Sequence, residues 1–295
     1  MKRLNKRGED AFRQFYRDEY AERWDALEHA LTAPKQFVAR LNQFASNPRI
    51  RLPDSLTQAS WHPQCMLVDQ PIDVPTDDLP CPFFLMDGAS VLAADALNAQ
   101  PGETILDVCA APGGKSLILA EKLGETGLLT ANDRSAQRRE RLKRVLNDYV
   151  PSDVRERIQV TGHDASRWCL HQQNAFDRIL VDAPCSSERH VLSDPRELAQ
   201  WTPARSKQLA QRQYAILASA LQVVRVGGRI VYSTCALSAR ENDGIIARLM
   251  RKRKGEAEVI RVSSPLGEET QYGHLILPDT TGFGPIYFSV LERQR

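Results

Sequence analysis

The chain has 295 residues, enough for one large core and a smaller appendage, and its 39 basic and 37 acidic side chains leave a net charge of +2. That balance excludes a global basic charge as the signature of nucleic-acid binding, and no apolar run approaches the ~18 residues of a membrane span. Six cysteines, no two closer than 16 residues, exclude a zinc ribbon or a C-x-x-C redox pair and fit a reducing, cytoplasmic setting. His62 with Cys65 and Cys169 with His171 have metal-ligand spacings, but nothing else organises them, so no metal is expected.

In chain order, residues 1 to 7 are basic and have no apolar signal core. Residues 9 to 45 carry Phe12, Phe15, Tyr16, Tyr20, Trp24, Leu27 and Leu31 at steps of three and four. This predicts a helix with an aromatic packing face. Pro34 then predicts the start of a second helix carrying Phe37, Val38, Leu41 and Phe44. From Asn47 to Asp87 the chain holds seven of its 17 prolines without sustained periodicity, which predicts an irregular connector with short strands. Trp61, Met66, Leu67, Phe83, Phe84 and Leu85 require that connector to lie against the main domain. A boundary is expected at 86/87, with a small helical region before it and an α/β domain over 87–295.

Residues 104–115, TILDVCAAPGGK, predict a buried strand, a glycine turn and a helix, the first βα unit of a doubly wound sheet. Glycines there allow close approach of backbone to a ligand. A phosphate loop would require a glycine where Cys109 stands, and the G-x-G-x-x-G fingerprint fails because Gly113 and Gly114 are adjacent. What survives is Asp133, 20 residues after Gly113 at the end of the next strand, placed to accept hydrogen bonds from ribose hydroxyls. An adenosine ligand with an amino-acid tail fits best, and S-adenosylmethionine (SAM) is that ligand.

Alternation then continues. A strand over 127–133 precedes a basic helix, Ala136 to Tyr149, with Ser135 as its N-cap. Strands are predicted at 158–162, 176–182 and 229–233, with a long helix over 203–224. Ser238 and Glu241 have the spacing of a capping box opening the following helix, and closing strands lie near Val259 and over 285–291. Asp133, Asp164, Asp182, Cys185 and Cys235 all fall at strand ends, the rim where an open α/β sheet binds ligands. The basic runs at 138–144 and 251–254 read singly as solvated helix faces.

Two cysteines on that rim, in D-A-P-C and S-T-C 50 residues apart, suggest covalent catalysis beside a SAM site. Carbon 5 of cytosine takes a methyl group only after a nucleophile adds to carbon 6, and thiolate suits that step. D-V-C-A-A-P-G-G-K, N-D, D-A-P-C, Y-S-T-C and the following E-N-D resemble the RsmB/NOP/Sun family of SAM-dependent RNA cytosine-5 methyltransferases over about residues 84 to 293. The resemblance implies a Rossmann-like class I methyltransferase domain, Cys235 as nucleophile and Cys185 as the cysteine that assists release. It also implies that Asp182 holds the base and that Lys115 lies between base and cofactor. The implied cofactor contacts are Cys109, Ala110, Ala111, Pro112, Gly113, Gly114, Lys115, Asp133, Arg138, Asp164 and Asp182.

Where most members read P-C-S-G-T-G, this chain has Pro184-Cys-Ser-Ser-Glu-Arg-His190, and Met86-Asp-Gly-Ala-Ser90 replaces the commoner Q-D-x-A-S. Both variants, with the ending from Gly282 to Phe288, resemble the branch of the mitochondrial small-subunit rRNA enzyme. RNA is therefore the expected partner, rRNA first and tRNA as the alternative. A protein partner supplying RNA selectivity, and the mitochondrial matrix as an alternative compartment, are also implied. A non-catalytic SAM-fold assembly factor remains open, and an NAD-dependent oxidoreductase is the weakest reading.

Overall fold

Strict alternation along the strands explains the main sheet. In the computed structural model, which describes residues 7–70, 72–75 and 79–295, Ile105, Leu180 and Val231 face one buried layer. Leu106, Ile179, Val181, Ile230 and Tyr232 face the other. Strands buried on both faces read as continuous apolar runs and favour parallel pairing with helices on either side. The basic stretch at residues 1–6 lies outside the described residues.

The N-terminal region comprises α1 (Glu9–Tyr20), α2 (Trp24–Thr32), β1 (Phe37–Leu41), β2 (Cys65–Val68) and β3 (Phe83–Met86). The second predicted helix is instead strand β1. Ala33 is extended (φ −64°, ψ 158°), as a residue before proline prefers, so Pro34 ends α2 and opens nothing helical. β1 then becomes the centre of an antiparallel sheet, order β2-β1-β3, with Val38 opposite both Leu67 and Met86. Pairing with segments 25 or more residues away outweighs a local pattern that also suits a helix. Phe12, Tyr16 and Trp24 bury completely with Trp201 and Leu237 of the main domain, an aromatic cluster contributing roughly 1.5–3 kcal/mol per side chain.

The main domain runs α3 (Gly88–Asp95), β4 (Thr104–Asp107), α4 (Gly114–Ala120), β5 (Leu128–Asn132), α5 (Ala136–Tyr149), α6 (Ser152–Arg155) and β6 (Ile158–Thr161). It continues through β7 (Phe176–Asp182), α7 (Glu188–Ser193), α8 (Pro195–Gln200), α9 (Pro203–Val223) and β8 (Val224–Thr234). It closes with α10 (Asp243–Lys252), β9 (Ala257–Ile260), β10 (Glu268–Glu269), β11 (His274–Ile276), α11 (Pro278–Thr281) and β12 (Ile286–Arg293). The sheet order is β10-β11-β12-β8-β7-β4-β5-β6, with β9 also on β12; β8, β7, β4, β5 and β6 are parallel, and β12 is antiparallel to β8. From β4 the chain builds outward through β5 and β6, then crosses to the other side of β4 for β7 and β8. The crevice beyond the carboxyl ends of β4 and β7 is thus the topological switch point.

Ser135 caps α5 as expected, its hydroxyl accepting from Arg138 N. The Ser238–Glu241 capping box does not form. The helix begins later, at Asp243, and Glu241 turns inward to accept from Ser186 N at 3.0 Å and Gln213 Nε2 at 2.8 Å. Among the described residues no helix is long and apolar enough to cross a membrane, and no group of three metal-ligating side chains assembles. His62 Nε2 bonds Asp95 at 2.9 Å.

Candidate active site

The switch-point crevice is a cavity of about 620 Å³, within the range of small-ligand sites. Cys109, Lys115, Arg138, Asp182, Cys185 and Cys235 all line it. Their convergence follows from the sheet: each stands at, or just beyond, the carboxyl end of β4, β5, β7 or β8.

The loop after β4 is set by contacts beneath it. Ser116 Oγ donates to Asp107 Oδ2 at 2.7 Å, tying the first turn of α4 to the end of its strand. Asp107 is fully buried and its Oδ1 has no donor, so its carboxyl is pushed up to about 7, burial being the main cause. Gly113 lies at φ +126°, and a Cβ there would stand 2.9 Å from Val145; one on Gly114 would stand 2.8 Å from Phe84. These glycines therefore admit α5 and β3, where the sequence suggested close approach to a ligand. Ala110 and Ala111 are buried and Pro112 is exposed. Burial raises the Cys109 thiol well above its ordinary value.

Asp133 follows β5, buried, with Oδ1 accepting from Ser135 N at 2.9 Å. Its Oδ2 lies 3.1 Å from Arg138 Nη1 but receives no well-aligned hydrogen bond, leaving an acceptor that a hydroxyl donor would satisfy. Arg138 also donates to Ala111 O, closing the loop against α5. Of the expected cofactor contacts, Cys109, Lys115, Arg138 and Asp182 line the cavity, whereas residues 110–114, Asp133 and Asp164 are not in its lining. Asp164 caps the turn after β6 by accepting from Ser166 N and Oγ and stands 3.7 Å from Arg134. The Ser166 hydroxyl bond, together with Arg134, lowers its pKa.

Lys115 Nζ donates to Asp182 Oδ2 at 2.7 Å across the crevice floor. Burial opposes the ammonium, yet Asp182, Asp107 and Cys235 together raise its pKa above the ordinary value, so the cation is retained. The two cysteines meet beside this pair. Cys235 N–H donates to Cys185 Sγ at 3.3 Å, and Ser187 Oγ lies 3.1 Å from Cys235 Sγ and 3.5 Å from Cys185 Sγ. The hydrogen bond from Cys185, supported by Ser187, lowers the Cys235 pKa against burial. The same bond, with burial, drives Cys185 upward. Of these two half-buried thiols, Cys235 is the more readily ionised.

Several residues at the site had no functional signal in the sequence. Glu188 is fully buried and accepts from Tyr16 Oη at 2.5 Å, Leu237 N at 2.9 Å and the Ser186 hydroxyl. Burial and nearby Glu241 push it up to about 6. Arg189 donates to the carbonyls of Ala30, Leu31 and Ala33 at 3.0–3.1 Å, capping the end of α2. Asp87 accepts from Ala89 N and Gly284 N and pairs with Lys35 at 3.3 Å. It is the N-cap of α3, a role the sequence reading did not anticipate.

A doubly wound sheet with an antiparallel strand beyond its last parallel one, and a polar crevice at the switch point, define a class I methyltransferase fold. The crystal structures of NSun6 and of a methyltransferase homolog protein, both from Pyrococcus horikoshii, share it. Each superposes with a TM-score of 0.80, at 17% and 21% identity, covering 96% and 97% of this chain and 97% and 95% of theirs. The family model described as 16S rRNA methyltransferase RsmB/F matches residues 94–292, and the chain belongs to that family. The 5-cytosine rRNA methyltransferase NSUN4 of Bos taurus is 38% identical over 229 residues, 72% of this chain and 59% of that protein. The mitochondrial tRNA (cytosine(34)-C(5))-methyltransferase of Danio rerio is 32% identical over 318 residues, 96% of this chain and 86% of that protein. The chain spans about three fifths of the length of the cattle and mouse NSUN4 proteins it matches.

Proposed function

We propose that this chain is a SAM-dependent RNA cytosine-5 methyltransferase working through a covalent cysteine adduct, with small-subunit rRNA as substrate. The observation that carries the reading is the meeting of Cys235 and Cys185 beside the Lys115–Asp182 pair in one crevice. The residues suit the cofactor: Asp133, paired with Arg138 and outside the cavity lining, offers a buried acceptor with no hydrogen-bond donor, Cys109, Lys115 and Arg138 line the crevice, and its volume suits a nucleoside with a short tail. Bound there, SAM supplies an electrophilic methyl group.

The chain's own groups do the rest. A target base turned out of its stack enters the cavity at a cost of a few kcal/mol when paired, and less in a loop. Asp182, held by Lys115, accepts from the exocyclic edge of the cytosine and fixes its orientation. Cys235 thiolate adds to carbon 6, and the electron pair released makes carbon 5 nucleophilic. Once carbon 5 carries the methyl group, its remaining proton would leave to a general base, the carbon 5–carbon 6 double bond re-forms and Cys235 is expelled as thiolate. Cys185, the less readily ionised of the two thiols and in contact with Cys235, is placed to assist that release.

The 38% identity to NSUN4 supports rRNA. The zebrafish tRNA enzyme supports a second reading, because its similarity extends over 96% of this chain and so includes the N-terminal region; its mitochondrial designation supports the matrix alternative for the compartment. A protein partner would add RNA selectivity, and the basic face of α5 would add affinity for phosphates. The test is methyl transfer from labelled SAM to size-fractionated total RNA by native chain, Cys235→Ala and Cys185→Ala. The expected result is 5-methylcytosine in the small-subunit rRNA fraction, none with Cys235→Ala, and a trapped protein–RNA adduct with Cys185→Ala. Label confined to tRNA would favour the second reading, and SAM binding without transfer to any RNA would overturn both.

A further inference from the structure

Ser187 occupies a position that its backbone disfavours. Its φ of 52° and ψ of 64° lie in the left-handed region, where a side chain costs about 1 kcal/mol or more relative to glycine. A glycine would relieve this. What serine adds is one hydroxyl, half-buried on the cavity wall, 3.1 Å from Cys235 Sγ and 3.5 Å from Cys185 Sγ.

That hydroxyl has one hydrogen to give. Cys185 Sγ already accepts the Cys235 amide at 3.3 Å, and Cys235 Sγ is the nearer sulfur. The charged groups facing Cys235 do not by themselves favour a thiolate: Asp182 and Glu188 oppose it, and Lys115, which favours it, is engaged by Asp182. We propose that Ser187 is a positioning residue whose hydroxyl donates to Cys235 Sγ, keeping the charge on that sulfur and the proton on Cys185, so that the same cysteine always attacks. The inference rests on the reading of Cys235 as nucleophile. It assigns the choice between two adjacent thiols to a serine held in a strained turn.

The test compares native chain, Ser187→Ala and Ser187→Gly. Alanine removes the hydroxyl and keeps the strain, whereas glycine removes both, so folding stability and thiol chemistry move independently. Iodoacetamide labelling of Cys235 and Cys185 is followed across pH by peptide mass spectrometry, with denaturant stability measured in parallel. Thiolate ultraviolet absorbance, taken as the difference from Cys235→Ala, reads the same titration without a reagent. The expected result is a rise of about one to two units in the Cys235 midpoint in both variants, the loss of one charge-assisted hydrogen bond. Glycine should be at least as stable as the native chain. Methyl transfer should fall about tenfold or more near neutrality and recover at higher pH. A native-like Cys235 midpoint in Ser187→Gly, or a shift confined to Cys185, would overturn the assignment. A midpoint shift in a chain that transfers no methyl group would leave this assignment standing and sink the functional reading instead.

Discussion

Strands β4, β7 and β8 end in the groups that face the cavity, whereas helices α1 and α2 place none there and instead hold the loops that follow β7 and β8. Tyr16 reaches Glu188 in the first loop. Tyr20 Oη donates to Leu237 O at 2.7 Å in the second, and Glu19 accepts from Ala239 N there. Arg189 returns the contact by capping α2. The parallel sheet supplies cavity-lining groups with positions set by its ladder; the loops carrying the two cysteines have no ladder beyond the strand ends. An aromatic helix pair, joined to them by these side-chain bonds and the buried Glu188 carboxylate, does for the loops what hydrogen-bonded pairing does for the strands.

The difference can be broken at either end. The largest effect belongs to the sheet side: Cys235→Ala should remove methyl transfer altogether while leaving the denaturant midpoint near native, since the thiol is deleted without a charge left behind. Transfer by that variant would remove the premise that the strand ends carry the chemistry.

On the N-terminal side the largest effect is on stability. Arg40 of β1 pairs with Glu121 at 2.5 Å, with both side chains 3% exposed or less, so the small sheet is pinned to the end of α4 by a buried ion pair. Arg40→Ala should cost about 3–5 kcal/mol by urea unfolding, because Glu121 would remain buried without its partner. A loss below 1 kcal/mol would mean that the small sheet docks through apolar contacts alone.

Glu188 predicts a pH dependence. Its folded-state value of about 6 is raised above the ordinary 4.5, so the native state holds the proton more tightly than the unfolded chain. Its contribution is therefore full below about 4.5 and lost as pH rises through about 6, a difference of about 2 kcal/mol. Glutamine does not titrate, so the stability of native chain relative to Glu188→Gln should fall by nearly that amount between about pH 3.5 and about pH 7. A flat difference would show that folding does not shift the Glu188 pKa. The smallest effect is expected from Tyr16→Phe, which removes one donor to this carboxylate: about 1–2 kcal/mol in stability, with a measurable drop in methyl transfer. Unchanged transfer alongside reduced stability would confine α1 to a packing role.

Much of this was legible in the chain. The alternating runs at 104–107, 128–132 and 176–182, the Ser135 cap and the polar strand ends lead to the sheet and its rim, because these signals are local and each strand is buried on both faces. The same local reasoning misplaced residues 37–44 and the Ser238–Glu241 pair. Val38 and Leu41 suit a helix as well as a strand, and only partners at 65–68 and 83–86 decide between them. Ser238 and Glu241 have capping spacing, but Glu241 is claimed by Ser186 and Gln213 from other elements.

By itself the sequence determined the doubly wound sheet, the residues at its carboxyl rim and the family to which they belong, since strand periodicity and motif spacing are properties of contiguous residues. Only the tertiary structure decided that Gly113 and Gly114 make room for neighbouring elements, that Arg138 pairs with Asp133, that the aromatic helix braces both cysteine loops, and that Ser187 stands between the thiols. Each of those depends on atoms brought together from distant parts of the chain, and burial there fixes which polar groups must find one another.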